Sequence, residues 1–561
     1  MLRNPNSIAR LFQTWAVLLM LSYGCSISQP VKTTTEPEPI ITDEILSDTL
    51  KKIAWPLTEI KDSLRIFFNT NNKPKATAIY YENLNHWYAT TNYQPLWCNA
   101  EQVKAGIGLL QNAANNGLTP SHYKVDSIIL LFQQVQTDSL TALKDRLKLE
   151  LELSLQVKRY AQHLYLGKLN PKNYHSSWNY PNKNWNTKEK LVLQLIQRNE
   201  TKAIEEVLAP ANHNYQLLKQ KLITYRQHYA ANSEPESVKY PGKSIKLGAT
   251  GKAVNDLKQR LGLKDTNAVF LFDTTLLVAV KAFQKSHGLT PDGVAGPATY
   301  QFLNWTTPRY IDALKVNMER LRWLPDSLPA THIEINLPAF ELVMKENHED
   351  VFRNKIIIGT PKHFSPVFQS RLDVLVFNPC WTIPQSIATK KLLPKIQKDP
   401  AYLKTHNMFA AIDEVPITTD SIDFSEFNES YFPYKIYQNS GPDNALGVVK
   451  FLFTNPYHIY LHDTPQKQLF NADNRAFSHG CIRVKNPLLL AKLLLDMQHS
   501  PYQTKEFYLS KKYPVKVPLN NPVPIYIQYL TASANPNNNS VCFFNDVYGL
   551  DLRVLIDLEK P

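Results

Sequence analysis

Cysteine is scarce in this sequence, and its few cysteines form no paired motif. There are five among 561 residues: Cys25, Cys98, Cys380, Cys481 and Cys542. No histidine stands at a metal-ligand spacing from Cys481, which argues against a zinc site, and the lack of paired cysteines argues against a zinc finger. No disulfide can be assigned from so few cysteines. We therefore expect neither a metal nor another cofactor.

Blocks of lysine and arginine are also absent, although the chain is basic overall. The formal net charge is +13 and the isoelectric point is about 9.1. Without such a block, or a recognisable nucleic-acid-binding motif, the charge does not indicate binding to nucleic acid. Most of it is interpreted as solvated surface, and its sign suits a partner that carries carboxylates or phosphates.

The apolar run at the N-terminus is too short for a membrane-spanning helix. It covers Leu11 to Met20, whereas a spanning helix needs about 20 residues. With arginines before it, residues 1–25 predict a signal peptide. Gly24-Cys25 resembles a lipobox, so Cys25 is a candidate lipidation site; an ordinary signal peptide and an uncleaved anchor are the alternatives. Residues 26–45 are rich in Ser, Thr, Pro and Glu and predict a flexible tether.

Two stretches carry the residue types best suited to chemistry. They are Tyr460-Leu461-His462-Asp463-Thr464-Pro465 and Ala476-Phe477-Ser478-His479-Gly480-Cys481-Ile482-Arg483-Val484. Cys481 is a candidate nucleophile, and His462 is a candidate base if the two strand-like runs are neighbours. Gly480 permits a positive φ or a close approach to a ligand. Three neighbours supply donors and positive charge that favour a thiolate: Ser478, His479 and Arg483.

These stretches resemble the signature of the L,D-transpeptidase catalytic domain, of the YkuD or ErfK/YbiS type. That family places a histidine before a Ser/Thr-His-Gly-Cys motif, and here His462 precedes Ser478-His479-Gly480-Cys481-Ile482-Arg483. Upstream, residues 441–447 and 450–453 follow the pattern of the YcbB-like subgroup. Residues 243–304 closely resemble a peptidoglycan-binding domain of type 1.

The resemblance implies a multidomain α+β chain, in keeping with the three or four domains expected for this length. We expect a helical scaffold domain over residues 46–235 and a small three-helix peptidoglycan-binding domain over 243–304. A mostly β catalytic domain over 309–561 follows, with a helical lid insert at about 384–440. The scaffold serves as structural support or as a docking surface for cell-wall synthesis proteins, and the sequence leaves both open.

The resemblance also implies the chemistry of the catalytic domain. Cys481 would attack the third residue of a peptidoglycan stem and His462 would take the thiol proton. A backbone carbonyl would orient His462, since Asp463 should point to the opposite face. Oxyanion donors are expected among the N–H groups of His479, Gly480 and Cys481, and Ser478 and His479 are expected to shape their loop.

Three further residues are candidates for the substrate cleft, each with a structural alternative. Arg483 would hold a stem carboxylate or form a structural ion pair. Tyr460 would line the cleft or only pack, and Trp381 would line it or anchor the core. Peptidoglycan stems and glycan are the expected partners, with the membrane involved only through the N-terminal anchor.

The expected function is 3→3 cross-linking of peptidoglycan in the periplasm, by a protein that is lipid-anchored to the envelope membrane. Two alternatives remain open at this point. One is an L,D-carboxypeptidase, or an enzyme that attaches peptidoglycan to an envelope protein. The other is a non-catalytic wall-binding protein, against which the intact Cys481 and His462 argue.

Overall fold

A computed structural model describes most of the chain after the N-terminal segment. The described residues are 55–69, 80–137, 142–231, 234, 236–263, 270–419, 422–498, 502–535 and 538–561. The predicted signal peptide, tether and lipidation site at Cys25 lie outside them. Within these ranges, no helix is both long and apolar enough to cross a membrane.

The N-terminal part of the described chain is helical, as the sequence predicts. Its core forms around the long helix α5 (Ala142–Leu166), against which the flanking helices bury their apolar faces. Asn99 caps α3 by accepting a hydrogen bond from the N–H of Gln102. The helices are α1 (Leu57–Asn69), α2 (Asn85–Thr90), α3 (Ala100–Gln111), α4 (Val125–Thr137), α5 (Ala142–Leu166), α6 (Trp185–Gln197), α7 (Ala203–Leu208) and α8 (His213–Ala231).

Three helices with their own small core follow: α9 (Lys252–Arg260), α10 (Thr274–Ser286) and α11 (Pro297–Leu303). The side chain of Asp273 caps α10, and Pro297 begins α11 with the φ angle that a first helical residue needs. The predicted three-helix unit is therefore present. The unit also contacts the catalytic domain. The N–H of Thr290 donates to the Asp473 carboxylate at 2.8 Å.

Helix α12 (Thr307–Arg322) connects this unit to the sheet and packs on the scaffold helices. It carries a fully buried ion pair, in which Arg322 donates to Glu319 at 2.8 Å. Arg322 also donates to the hydroxyl of Tyr215 in α8 at 3.1 Å. Because a buried charge is tolerated only when it is paired and hydrogen-bonded, this network fixes the scaffold against the rest of the chain.

The C-terminal part is built on a nine-stranded sheet, with the order β11-β3-β12-β10-β9-β4-β13-β1-β2. Strand β2 also pairs with β3, so the sheet closes on itself. Its strands are β1 (His332–Asn336), β2 (Glu341–Glu346), β3 (Glu349–Gly359), β4 (Gln369–Phe377), β9 (Val449–Phe453), β10 (Leu461–His462), β11 (Ala476–Ser478), β12 (Ile482–Val484) and β13 (Val515–Gln528).

An insert between β4 and β9 has its own four-stranded sheet and core. Its strands are β5 (Trp381–Thr382), β6 (Met408–Ile412), β7 (Val415–Ile417) and β8 (Lys435–Gln438). Its helices are α13 (Gln385–Ile387), α14 (Leu393–Lys398) and α15 (Tyr402–Thr405), and a π-helical turn joins α13 to α14 over Ala388–Leu392. The helices of the insert thus lie in its first half. In its second half, β8 returns to pair with both β5 and β6.

The tail packs around the closed sheet. It contains helices α16 (Pro487–Asp496), α17 (Lys505–Leu509) and α18 (Asp551–Leu558), and the hairpin of β14 (Ala532–Ala534) and β15 (Val541–Phe543). Helix α18 lies against α12, where Arg320 forms an ion pair with Asp551 at 2.6 Å. The multidomain α+β fold is confirmed.

Candidate active site

Two short parallel strands bring the candidate nucleophile and base together. Strand β10 pairs with β12 in a register that sets His462 beside Arg483. Leu461 and Ile482 form the preceding pair and are fully buried in the core. Since side chains alternate along a strand, Tyr460 and Cys481, one residue before that pair, share the face of His462 and Arg483.

The turn that presents Cys481 is held by two serine hydroxyls. Ser478 donates to the main-chain oxygen of Cys481 at 2.5 Å, and Ser365 donates to that of Gly480 at 2.7 Å. Gly480 has a φ of +115°, and an added side chain there would lie 3.1 Å from Ile459. A larger residue is therefore strained at this position, and Ser478 shapes the loop.

The N–H groups of this turn do not all point the same way. The N–H of Gly480 donates to the Ser478 hydroxyl at 3.1 Å, inside the turn. We therefore withdraw Gly480 from the expected oxyanion donors, because its N–H already has an acceptor. Over the described residues, the N–H groups of His479 and Cys481 have no acceptor. These two groups remain candidates for stabilising a negatively charged oxygen.

His462 is buried, with 4% of its surface exposed. Its Nδ1 lies 2.5 Å from the main-chain oxygen of Asp463. A carbonyl oxygen only accepts hydrogen bonds, so Nδ1 carries the proton and Nε2 is left with its lone pair. Burial, followed by the nearby charge of Arg483, lowers the pKa of His462 to about 3. The imidazole is therefore neutral at physiological pH and able to accept a proton.

The carboxylate of Asp463 does not contact His462. It accepts a hydrogen bond from the N–H of Val448 at 3.1 Å and forms an ion pair with Lys467. It also packs directly on the backbone of Gly447, which has a φ of +61°. The Asp463 side chain therefore stabilises the start of β9 from the face opposite to that of His462.

Tyr460 lies close to the sulfur of Cys481, and the thiol donates to the main-chain oxygen of His458 at 3.9 Å. Burial raises the pKa of the Cys481 thiol, and the polar groups of Tyr460 and the charges of Arg483 and Lys450 oppose this rise. The resting pair is therefore a neutral thiol beside a neutral imidazole.

Three family models match separate parts of the chain. Residues 82–222 match "Scaffold domain", residues 250–303 match "Putative peptidoglycan binding domain", and residues 330–517 match "L,D-transpeptidase catalytic domain". Residues 330–517 form a YkuD-type L,D-transpeptidase catalytic domain.

A curated protein from Haemophilus influenzae is similar to this chain. It is described as "Putative L,D-transpeptidase" and is 34% identical over 243 residues, which make up 43% of this chain. The match spans about half of that relative, 48% of its length.

Two solved structures also share similarity with this chain. The L,D-transpeptidase from Xylanimonas cellulosilytica is 16% identical over 52% of this chain and 98% of its own, with a TM-score of 0.18. The Ldtfm–avibactam carbamoyl enzyme is 10% identical over 36% of this chain and 51% of its own, with a TM-score of 0.16. With such low scores, neither superposition bears on the site described here.

The insert of the L,D-transpeptidase domain touches the site at two points. The side chain of Trp381 lies near that of Tyr460, which in turn lies near Cys481. Lys391, in the π-helical turn, donates to Nε2 of His479 at 2.7 Å. The His479 ring also stacks on His363, with 5.0 Å between the ring centres. The insert is therefore in direct contact with the turn that carries the thiol.

Arg483 forms no ion pair with a carboxylate in the part of the chain that the structure describes. Its Nη1 donates to the side-chain oxygen of Gln466 at 2.9 Å, and its Nε is buried without a hydrogen-bond partner there. The structural ion pair that the sequence left as an alternative is not observed among the described residues. The Nε donor of the guanidinium stays without an acceptor there.

Some residues of the site had no role in the sequence interpretation. They are Lys450, Lys391, Ser365 and His363. Lys450 stands out in the sequence only as the single charge in the apolar strand β9. Burial raises the pKa of the Cys380 thiol, and Lys450 is its charged neighbour. No group of three or more His, Cys, Asp or Glu side chains could hold a metal ion among the described residues.

Proposed function

We propose that this protein is an L,D-transpeptidase that forms 3→3 cross-links in peptidoglycan through a Cys481 thioester. The observation that carries the proposal is the shared face of Cys481 and His462 on β12 and β10. The fixed Nδ1 proton of His462 leaves Nε2 free to accept the thiol proton. The match to a peptidoglycan-binding domain supports peptidoglycan as the substrate.

In the acylation step, the proton of the Cys481 thiol passes to Nε2 of His462 and the sulfur attacks the carbonyl of the third stem residue. The oxygen of the tetrahedral intermediate becomes negative and accepts hydrogen bonds from the N–H groups of Cys481 and His479. When the intermediate collapses, the C–N bond to the D-Ala in the fourth position breaks. His462 returns its proton to that amine, which leaves as free D-Ala.

In the second step, a side-chain amine from a neighbouring stem attacks the thioester. Its proton passes to His462 as the new amide forms, and the returning proton restores the thiol. One amide bond is broken and one is made, and the thioester conserves the acyl energy between the two steps. The reaction therefore needs no nucleotide and no redox partner.

The substrate-binding roles follow from the same face. Arg483 retains a buried donor and would bind a free carboxylate of the stem. Tyr460 and Trp381 would line the cleft beside the scissile bond. Domains that act on peptidoglycan imply a periplasmic or cell-wall location, and lipidation at Cys25 would anchor the protein to the envelope membrane.

The test is incubation of the protein from residue 45 onward with purified tetrapeptide muropeptides, followed by mass spectrometry. We expect a dimer that forms with loss of D-Ala. The Cys481→Ala variant should form neither the dimer nor the acyl-enzyme. Cys98→Ala is the matched control, because that thiol lies in the scaffold domain and its loss should leave dimer formation unchanged.

Two outcomes would contradict the proposal. Tripeptide monomers without dimers would mean that water wins over the amine and that the protein is a carboxypeptidase. Dimers of equal yield with Cys481→Ala would remove this cysteine from the reaction.

A further inference from the structure

Lys450 lies on a cross-strand row of residues that runs through the site. The antiparallel pairing of β9 with β10 sets Lys450 opposite His462, and the parallel pairing of β10 with β12 sets His462 beside Arg483. Directly paired residues on neighbouring strands have side chains on the same face. The base is therefore bracketed by two cations, one on each side.

Lys450 is partly buried, and no carboxylate of the described residues neutralises it. Among the described residues, no carboxylate forms an ion pair with its ammonium. The ammonium lies 5.6 Å from the centre of the Tyr460 ring. Its charge acts on the thiols of Cys481 and Cys380, and burial lowers its pKa. Burying a charge without a partner costs free energy. A stable anion near the Lys450 ammonium would offset this cost.

The anion that the proposed reaction creates at this place is the Cys481 thiolate. We propose that Lys450 is a positioning residue which, from the far side of Tyr460, stabilises the Cys481 thiolate and keeps His462 neutral until it takes the thiol proton. This inference rests on the proposed function. Lys450 keeps its own proton throughout, while the thiol proton moves to Nε2 of His462.

Other groups also act on this pair. The charged and titratable side chains that act on it are Tyr460, Arg483, Lys450 and Lys467, while Cys380 and Lys516 act on Lys450 itself. Arg483 acts from the opposite strand and has a free donor for substrate. Lys467 is already paired with Asp463. Lys450 is thus a cation for which the described residues provide no carboxylate, and it lies over the ring of Tyr460, the residue close to the sulfur.

The test measures the alkylation of Cys481 by iodoacetamide against pH in the full chain. The reagent is uncharged, so it reports on the thiolate and not on recognition of a carboxylate. Mass spectrometry of the Cys481 peptide separates this thiol from the other cysteines. For Lys450→Met we expect a titration midpoint at higher pH and alkylation at pH 7 slowed about 3- to 10-fold. Lys450→Arg should restore most of the wild-type rate.

Lys516→Met is the matched control. Lys516 lies two strands further along the same row, opposite Val376, and is exposed. Its loss should leave the alkylation profile unchanged. Thermal melting of each variant shows whether the fold is retained.

Three results would overturn the inference. One is an unchanged alkylation profile in a folded Lys450→Met variant. Another is failure of folded Lys450→Arg to restore the rate, because shape rather than charge would then matter. The third is a Lys450→Met variant that raises only KM for muropeptides, which would assign Lys450 to a substrate carboxylate. If the alkylation shift occurs while wild-type protein makes no cross-links, the proposed function fails and the role of Lys450 stands.

Discussion

The side chain of His462 is held by the main-chain oxygen of Asp463, at 2.5 Å, and not by the Asp463 carboxylate. The two residues are adjacent in the chain, and the alternation of side chains along a strand sends their side chains to opposite faces. A backbone carbonyl fixes the tautomer of the imidazole without adding a negative charge next to it. The base therefore stays neutral among several cations.

Asp463→Asn tests whether the main-chain oxygen of Asp463, and not its carboxylate, orients His462. Because the carboxylate does not touch His462, kcat/KM should stay within about 3-fold of the wild type. Stability should fall by about 1–2 kcal/mol, since a buried charge-assisted hydrogen bond is weakened. His462→Gln, the comparison variant, should abolish cross-linking with little change in melting. A loss of more than about 100-fold in kcat/KM for Asp463→Asn at unchanged stability would restore this carboxylate to the catalytic machinery.

Gly447→Ala should destabilise the same region, because Gly447 is the residue on which the Asp463 side chain packs. An added methyl group would collide with the Asp463 carboxylate, and the φ of +61° is already unfavourable for alanine. We expect the free energy of unfolding to fall by about 2–4 kcal/mol.

Gly549→Ala is the matched control for this substitution. Gly549 has a φ of +67°, and an added methyl group there would meet nothing within 4 Å. Its cost should be limited to backbone strain, about 1 kcal/mol. Urea unfolding of both variants measures the difference, and equal costs would show that the contact with Asp463 contributes nothing.

The apolar patterns and the cysteine motif predicted much of this molecule, because both are local in the sequence. The three helices after residue 250 and the strands that flank Cys481 follow from such patterns. The position of Lys450 could not be found in this way, since it depends on the register between β9 and β10. Likewise, the pairing of β8 with β5 joins residues more than fifty positions apart, and no local pattern predicts that register.

The hydrogen bonds inside the turn around Gly480 also could not be predicted from the sequence. The motif correctly suggested a tight turn, and the φ of +115° agrees with a glycine there. Which N–H groups are free depends on the rotamer of Ser478, whose hydroxyl accepts from Gly480. Sequence spacing carries no information about that choice.

Acidification should destabilise the docking of the three-helix unit through His287. This residue is buried, its Nδ1 lies 2.8 Å from the Phe283 oxygen and its Nε2 lies 2.9 Å from the Tyr310 hydroxyl on α12. Burial lowers the pKa of His287 from 6.5 to about 4. Between these values the unfolded chain binds the proton and the folded chain does not, so stability is present above pH 6.5 and is lost as the pH falls towards 4.

The measurement is the free energy of unfolding in urea at several pH values. In this window His287 should contribute a slope of up to about 1.4 kcal/mol per pH unit. His287→Gln should be less stable than the wild type at pH 7 but lose less on acidification. The other buried histidines titrate in both proteins, so the difference in slope isolates His287. Parallel curves for the two proteins would refute the assignment.

The contact between Lys391 and His479 should be visible in the titration of the histidine. Burial, then the charge of Lys391, lowers the pKa of His479. Lys391→Met removes that charge, so NMR titration should show a higher pKa for His479, with the resonance assigned through His479→Gln. Lys390→Met is the matched control: Lys390 is the neighbouring residue, but its ammonium pairs with Glu429 at 2.8 Å on the exposed side of the insert. It should leave His479 unchanged. Equal shifts in both variants would mean that His479 senses the overall charge of the insert, and no shift in either would mean that the insert is not fastened to the catalytic turn in solution.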